Sequence, residues 1–278
     1  LIWYAEQKQS LGDNMITIGY IGALLMGTVL GLVGGGGSIL SVPIFVYIFG
    51  INPMQATGYS LLVVGLTSLI GSADYMKRGL VEYKIGAVFA VPALVSVYLT
   101  RRYLMPALPD SIFEFGEFIL TKELLIMGSF SVIMLLASFS MIKRSNVRDA
   151  LVTEKKFNYP LIILEGILVG GVTGFVGAGG GFLIIPALVV LAGLKMKEAV
   201  GTSLIIIAVK SLIGFSGDLQ TLPNIDWSFL LSFTVLSIIG MLVGIFLSRK
   251  VSSSILKPAF GWFVLVMASM MLIKELVV

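Results

Sequence analysis

The chain contains no cysteine and no histidine, and only 12% of its 278 residues are charged. Without cysteine there is no disulfide, no thiolate nucleophile and no Cys-ligated metal. Without histidine the commonest general base and the commonest transition-metal ligand are missing. Most hydrolase and metalloenzyme readings thereby lose their usual groups. The charged fraction is about half that of a soluble domain. What is there instead is apolar: 57% hydrophobic residues and a mean hydropathy of +1.02. That much apolar surface is stable when lipid is its solvent. A net charge of +4 and a pI near 9.2 would suit nucleic acid in another context. Here the basic residues lie between apolar runs, so the expected partner is the bilayer and not a nucleic acid.

Apolar stretches cover 16–33, 38–50, 56–76, 84–105, 121–142, 160–176, 181–194, 199–217, 227–248 and 255–277. A full span needs about 20 apolar residues. The stretches 38–50 and 181–194 fall short of that, and each follows a glycine run. Short, Gly-interrupted segments at matching places in two halves point to discontinuous helices at a transport site.

The halves do match. A shift of 143 residues lays Gly27–Gly71 on Gly170–Gly214 without a gap, with 19 of 45 positions identical. GLVGGGGSILSVPIF (31–45) falls on GFVGAGGGFLIIPAL (174–188), and ATGYSLL (56–62) on AVGTSLI (199–205). Such density indicates duplication. The expected fold is an all-α polytopic membrane protein of two inverted-topology repeats with Gly-broken helices that either span or re-enter. Its parts are an N-terminal extension (1–14), repeat 1 (15–142), a cytoplasmic linker (143–158) and repeat 2 (159–278). Each repeat holds an odd number of crossings, whether the Gly-run segments span or re-enter, so the second is inverted relative to the first. Of the 19 Lys and Arg, thirteen between Lys77 and Lys257 fall on one side. Five (Lys8, Arg101, Arg102, Lys122 and Lys274) fall on the other, and Lys210 lies inside a span. The positive-inside rule assigns the richer side to the cytoplasm and both termini to the outside.

Gly34, Gly35, Gly36 and Gly37, and Gly177, Gly179, Gly180 and Gly181 around Ala178, sit where membrane helices should be continuous. Consecutive glycines break helices. A break in hydrocarbon is tolerated only inside protein or beside water. The following helices, expected from Ser38 and Phe182, would aim free N–H groups and a positive dipole end into the gap, which makes an anion site. The competing reading is close helix packing through Gly27-xxx-Gly31 and Gly170-xxx-Gly174. A second matched element is GYS (58–60) and GTS (201–203). Tyr59, Ser60, Thr202 and Ser203 could donate to oxyanion oxygens, or their hydroxyls could satisfy neighbouring carbonyls. Lys210 lies mid-span opposite Thr67 of the other repeat. Its role is substrate binding, or a structural ion pair with Asp74 or Glu165. Asp74 and Asp218 fall near helix ends and are expected at the interface. Trp227, Trp262, Tyr83, Tyr98 and Tyr159 are expected in the aromatic belts. Residues 110–123 are expected to form an exposed loop.

The doubled glycine motif, the GTS-type element and the stretch DYMKRGLVEYK (74–84) together resemble the sulfite exporter (TauE/SafE) family over residues 15–278. The resemblance implies a bacterial or archaeal inner-membrane transporter of sulfite, organosulfonates or thiosulfate-like anions. Ala178, Tyr59 and Asp74 depart from the motifs: Ala178 replaces a glycine, Tyr59 the Thr of GTS, and Asp74 a frequent histidine. The expected function is transport of a small sulfur-containing anion, with no cofactor, no metal and no catalytic residue. A homodimer is compatible with this, and no coupling ion is identified. Three alternatives remain. A passive anion channel needs the same site. A cation or metal transporter would need acidic groups at the midplane. A membrane enzyme would use Ser203 or Ser211 with Lys210.

Overall fold

The computed structural model describes residues 2–115, 118–142, 159–177, 179–190, 192–219, 222, 225–248 and 253–277. The expected linker 143–158 and Ala178 lie outside the described residues. The elements are α1 (Ile2–Val33), a 3-10 turn (Gly36–Leu40), α2 (Ser41–Pro43) running into a π-turn (Ile44–Ile48), and α3 (Pro53–Lys77). Then come α4 (Tyr83–Leu99), which a π-turn prolongs into α5 (Met105–Ala107), strands β1 (Ser111–Phe115) and β2 (Phe118–Thr121), and α6 (Lys122–Ile142). The second half holds α7 (Tyr159–Val176), α8 (Gly181–Val190), α9 (Met196–Asp218), α10 (Trp227–Ser248) and α11 (Ser253–Val277).

Among the described residues seven helices are long and apolar enough to cross a membrane, so the chain is a mostly helical, polytopic membrane protein. The segments 36–48 and Gly181–Val190 are not among the seven; at about 1.5 Å per residue they are too short. They begin at Gly36 and Gly181, slightly before the expected Ser38 and Phe182. Residues 110–123 are not an irregular loop. β1 and β2 pair antiparallel there, Glu114 opposite Ile119, because backbone groups between two spans gain partners in a hairpin ladder. The expected belt aromatics Trp227, Trp262, Tyr83, Tyr98 and Tyr159 are all exposed on the outer surface.

Helices α3 and α9 are central, with 78% and 72% of their positions buried against 33–44% for the other candidate spans. Around them α1 packs on α10, α4 on α7 and α6 on α11. Glycine seams set the first two pairs. A Cβ on Gly27 would lie 1.9 Å from the Ser237 carbonyl oxygen, and one on Gly170 2.5 Å from that of Ala93. The packing reading therefore holds for the spaced glycines.

Both short segments end alike. Gly50 and Gly193 take φ of 66° and 58°. Ile51 N donates to Phe45 O (2.9 Å) and Leu194 N to Leu188 O (3.1 Å), bonds that reach six residues back and give a carbonyl of the last turns its partner. The segment 36–48 folds back along α1. Gly37 lies against Met26 and Leu30, Gly22 against Ile44, and Gly19 against Phe49. Phe45 and Phe49 stack on Phe233 and Phe229 of α10, with ring centroids 4.6 and 4.7 Å apart.

Contacts sort the connections into two ends. At one end the Asn52 amide donates to Glu123, Asp226 N to the Tyr59 hydroxyl (3.0 Å), and the Lys274 ammonium sits 4.4 Å over the Tyr47 ring. At the other, Glu82 N donates to Thr202 Oγ1 (2.9 Å), and Gly201 abuts Leu80 and Tyr75.

Candidate functional site

The helices stop where the consecutive glycines stand. Gly34 and Gly177 have φ of 78° and 76°, and Gly179 and Gly180 63° and 74°, backbone that L side chains rarely adopt. The two breaks touch. A Cβ on Gly35 would lie 2.7 Å from Gly181 Cα, and one on Gly181 2.3 Å from Gly35 Cα. Each break also lies against the start of the other half's central helix: Gly34 meets Val200, and Gly177 meets Thr57. By helix geometry, the first N–H groups of the segments starting at Gly36 and Gly181 have no intrahelical partner.

The hydroxyls nearest the breaks face carbonyls. Ser60 Oγ donates to Gly177 O (2.7 Å), and Ser203 Oγ shares its proton between Gly34 O (3.0 Å) and Val200 O one turn back (2.8 Å). Ser60 and Ser203, and Gly34 and Gly177, are equivalent under the 143-residue shift, so each half's central serine holds the last carbonyl of the other half's broken helix. Ser60 Oγ also lies 2.5 Å from Ser41 Oγ, and Ser38 Oγ donates to Gly35 O (2.8 Å). For these serines the carbonyl-satisfying role is the one seen. Thr202 accepts from Glu82 N and Tyr59 from Asp226 N, so both hydroxyls hold backbone outside their own helices.

Lys210 does reach a break. It is fully buried, its ammonium donates to Thr173 Oγ1, and a Cβ on Gly180 would lie 3.0 Å from Nζ. The expected ion pairs are not formed. Asp74 pairs instead with Arg78 at 2.6 Å near an exposed helix end, and among the described residues no salt bridge involves Lys210. Neither Ser203 nor Ser211 is the hydroxyl that Lys210 holds.

Two groups of buried polar residues escaped the sequence. Asp218, expected at the interface, is fully buried, and so is Arg101, expected outside. Arg101 Nη1 lies 3.3 Å from Asp218 Oδ2 and donates to Thr57 Oγ1 (3.0 Å), while its Nε and Nη2 have no partner. The correction follows from helix crossing. Gly217 leaves room for the Arg101 stem, so two residues near span ends in sequence are drawn into the protein. The second group is Thr67, Ser68 and Ser211, whose hydroxyls are buried and unpartnered. Ser68 and Ser211 belong to the matched SLIG elements, which was the available signal.

The arrangement offers N–H groups, buried hydroxyls and one ammonium without a counter-charge, a set suited to an anion. Among the described residues no group of three or more His, Cys, Asp or Glu could hold a metal ion.

Comparison with known proteins points to a membrane transporter. The family profile described as Sulfite exporter TauE/SafE matches residues 20–275. The chain is 28% identical over 270 residues to a "Probable membrane transporter protein" of Xylella fastidiosa strain Temecula1, covering 91% of this chain and 93% of that one. It is 27% identical over 257 residues to the "Probable membrane transporter protein YunE" of Bacillus subtilis, covering 83% and 87%. No solved structure matches it significantly.

Proposed function

We propose a function from one premise: the chain belongs to the sulfite exporter TauE/SafE family and is a membrane transporter. Its cargo is a small sulfur-containing oxyanion such as sulfite, an organosulfonate or thiosulfate. The binding site lies where the two glycine breaks touch. The N–H groups at Gly36, Gly37 and Ser38 and at Gly179, Gly180 and Gly181 replace part of the anion's water, and Lys210 supplies charge. Ser60 and Ser203 hold the breaks open by occupying their last carbonyls. The observation that carries this reading is Lys210: a buried ammonium beside Gly180 whose hydrogen bond goes to a neutral threonine. A buried cation without a counter-charge costs several kcal/mol, and an anionic cargo cancels that cost.

In this reading α1 with 36–48, and α7 with α8, are hairpins that enter the bilayer from opposite faces and return, and residues 15–142 and 159–278 are inverted repeats joined by a cytoplasmic linker. The fold-back of 36–48 on α1 and the sorting of connections into two ends support it. Both termini then lie outside. Transport proceeds by one repeat rocking against the other.

Proteoliposome flux of sulfite, thiosulfate, sulfoacetate, sulfate and chloride tests this. A sulfur oxyanion is expected to move fastest, and to lose its advantage in Lys210→Met. Movement of chloride alone, or of none of the five, overturns it.

A further inference from the structure

The site just proposed leaves three buried hydroxyls unexplained. Membrane-embedded serine and threonine ordinarily donate to a carbonyl one turn back, and here Ser72, Ser131, Ser138, Thr234 and Ser237 do so. Thr67 Oγ1, Ser68 Oγ and Ser211 Oγ are fully buried and do not. Their places are not scattered. Helices α3 and α9 cross antiparallel, with Gly58 beside Asp218, Gly65 beside Leu212 and Tyr75 beside Gly201. Midway along that crossing Thr67 stands opposite Lys210, its equivalent in the other half.

Thr67 follows Ser60 by seven residues, about two turns, and so shares its face. On that face Ser60 holds Gly177 and Val64 touches Gly179. Lys210 follows Ser203 by the same interval and reaches Gly180. Ser68 shares the side of Leu61 and Gly65, which touch Gly214 and Leu212 of α9. A hydroxyl left unbonded in a protein interior is costly, and in the α3–α9 crossing Thr67 stands opposite Lys210, Ser68 follows Thr67, and Ser211 follows Lys210.

We propose that Thr67, Ser68 and Ser211 are reserved donors for the oxygens of the transported anion, and that they set its class: an anion with several acceptor oxygens, over a halide of equal charge. This rests on the functional reading above and specifies the donor set at that site. Lys210 attracts either kind of anion; the hydroxyls distinguish them, because each can direct a proton at a separate oxygen. Ser60 and Ser203 are already bonded to carbonyls and take no part in that choice.

The test uses full-length protein in nanodiscs, with sulfite and chloride affinities from calorimetry and unfolding midpoints from tryptophan fluorescence. Thr67→Val, Ser68→Ala and Ser211→Ala are each expected to weaken sulfite binding about tenfold, since a hydrogen bond to a charged group is among the stronger ones. Chloride affinity should stay within about twofold, and the ligand-free Tm should hold or rise, because an unsatisfied buried hydroxyl is removed. Variants that bind sulfite like the wild type, or that lose Tm without losing sulfite, overturn the proposal while leaving Lys210 and the breaks intact. Wild-type protein that binds no oxyanion overturns the underlying functional reading as well.

Discussion

From Gly27 to Gly71 and from Gly170 to Gly214 the chain follows a similar course: a helix ends at a glycine with φ near 77°, a short helical segment follows and closes at a left-handed glycine, and a long buried helix begins, while the second break holds two further left-handed glycines, Gly179 and Gly180. The side chains at the break differ. Where the first half has Leu30 and Thr67, the second has Thr173 and Lys210. Gly37 packs on Leu30, whereas its equivalent Gly180 packs on Thr173 and the Lys210 ammonium. Shared glycines give both halves one architecture, and two substitutions place charge in only one of them. A symmetric backbone can thus carry an asymmetric site, because break geometry is set by glycine φ and close approach, while charge comes from a single side chain.

Removing the difference between the halves is expected to have the largest effect on flux. Lys210→Met should lower sulfite flux by roughly a hundredfold, the factor that ~2.7 kcal/mol of lost charge stabilisation produces, with folding preserved by size-exclusion profile. Flux at the wild-type level would remove Lys210 from the site. Next comes the Arg101–Asp218 pair, which has no counterpart in the first half, where the equivalent of Asp218 is Tyr75. Asp218→Ala should cost about 3–5 kcal/mol by leaving a buried guanidinium without its charge partner. The double change Arg101→Met with Asp218→Leu should recover much of it in a denaturation cycle. Additive losses would show that the two are not coupled.

Gly180→Ala tests the break itself. Its φ of 74° and a Cβ 2.2 Å from Thr173 Cγ2 should together cost about 2–3 kcal/mol and reduce flux. Gly37→Ala meets the backbone of Met26 and Leu30 instead, away from the ammonium, so it should destabilise the fold and alter anion preference less than Gly180→Ala does. Equal loss of preference in both would erase the functional distinction between the halves. The smallest effects belong to Ser60→Ala and Ser203→Ala. Each removes one donor from a broken-helix carbonyl, at about 1 kcal/mol, and the two should match within error by unfolding midpoint.

Much of this was readable from residues alone, and for identifiable reasons. The absence of cysteine and histidine, together with long apolar runs, pointed to the bilayer as solvent before any coordinate. The glycine runs announced the breaks because consecutive glycines disfavour a continuous helix, and Gly34, Gly177, Gly179 and Gly180 do take left-handed φ values. Lys210 stood out because a cation in the middle of a 23-residue apolar helix needs either a partner charge or a function. The hairpin at Ser111–Thr121 was not legible, since a short run of mixed polar and apolar residues carries little periodicity. Nor was the inward turn of Arg101 and Asp218, which by position belong at the membrane surface.

The sequence by itself determined the solvent, the duplication, the places where helices must stop and the one intramembrane cation, because each depends on local composition or on spacing along the chain. Only the tertiary structure decided that the two breaks touch, that Ser60 and Ser203 serve carbonyls of the opposite half, and that Thr67, Ser68 and Ser211 are left without partners. A hydrogen bond between residues more than a hundred positions apart is set by how helices cross, and crossing depends on the packing of every helix at once.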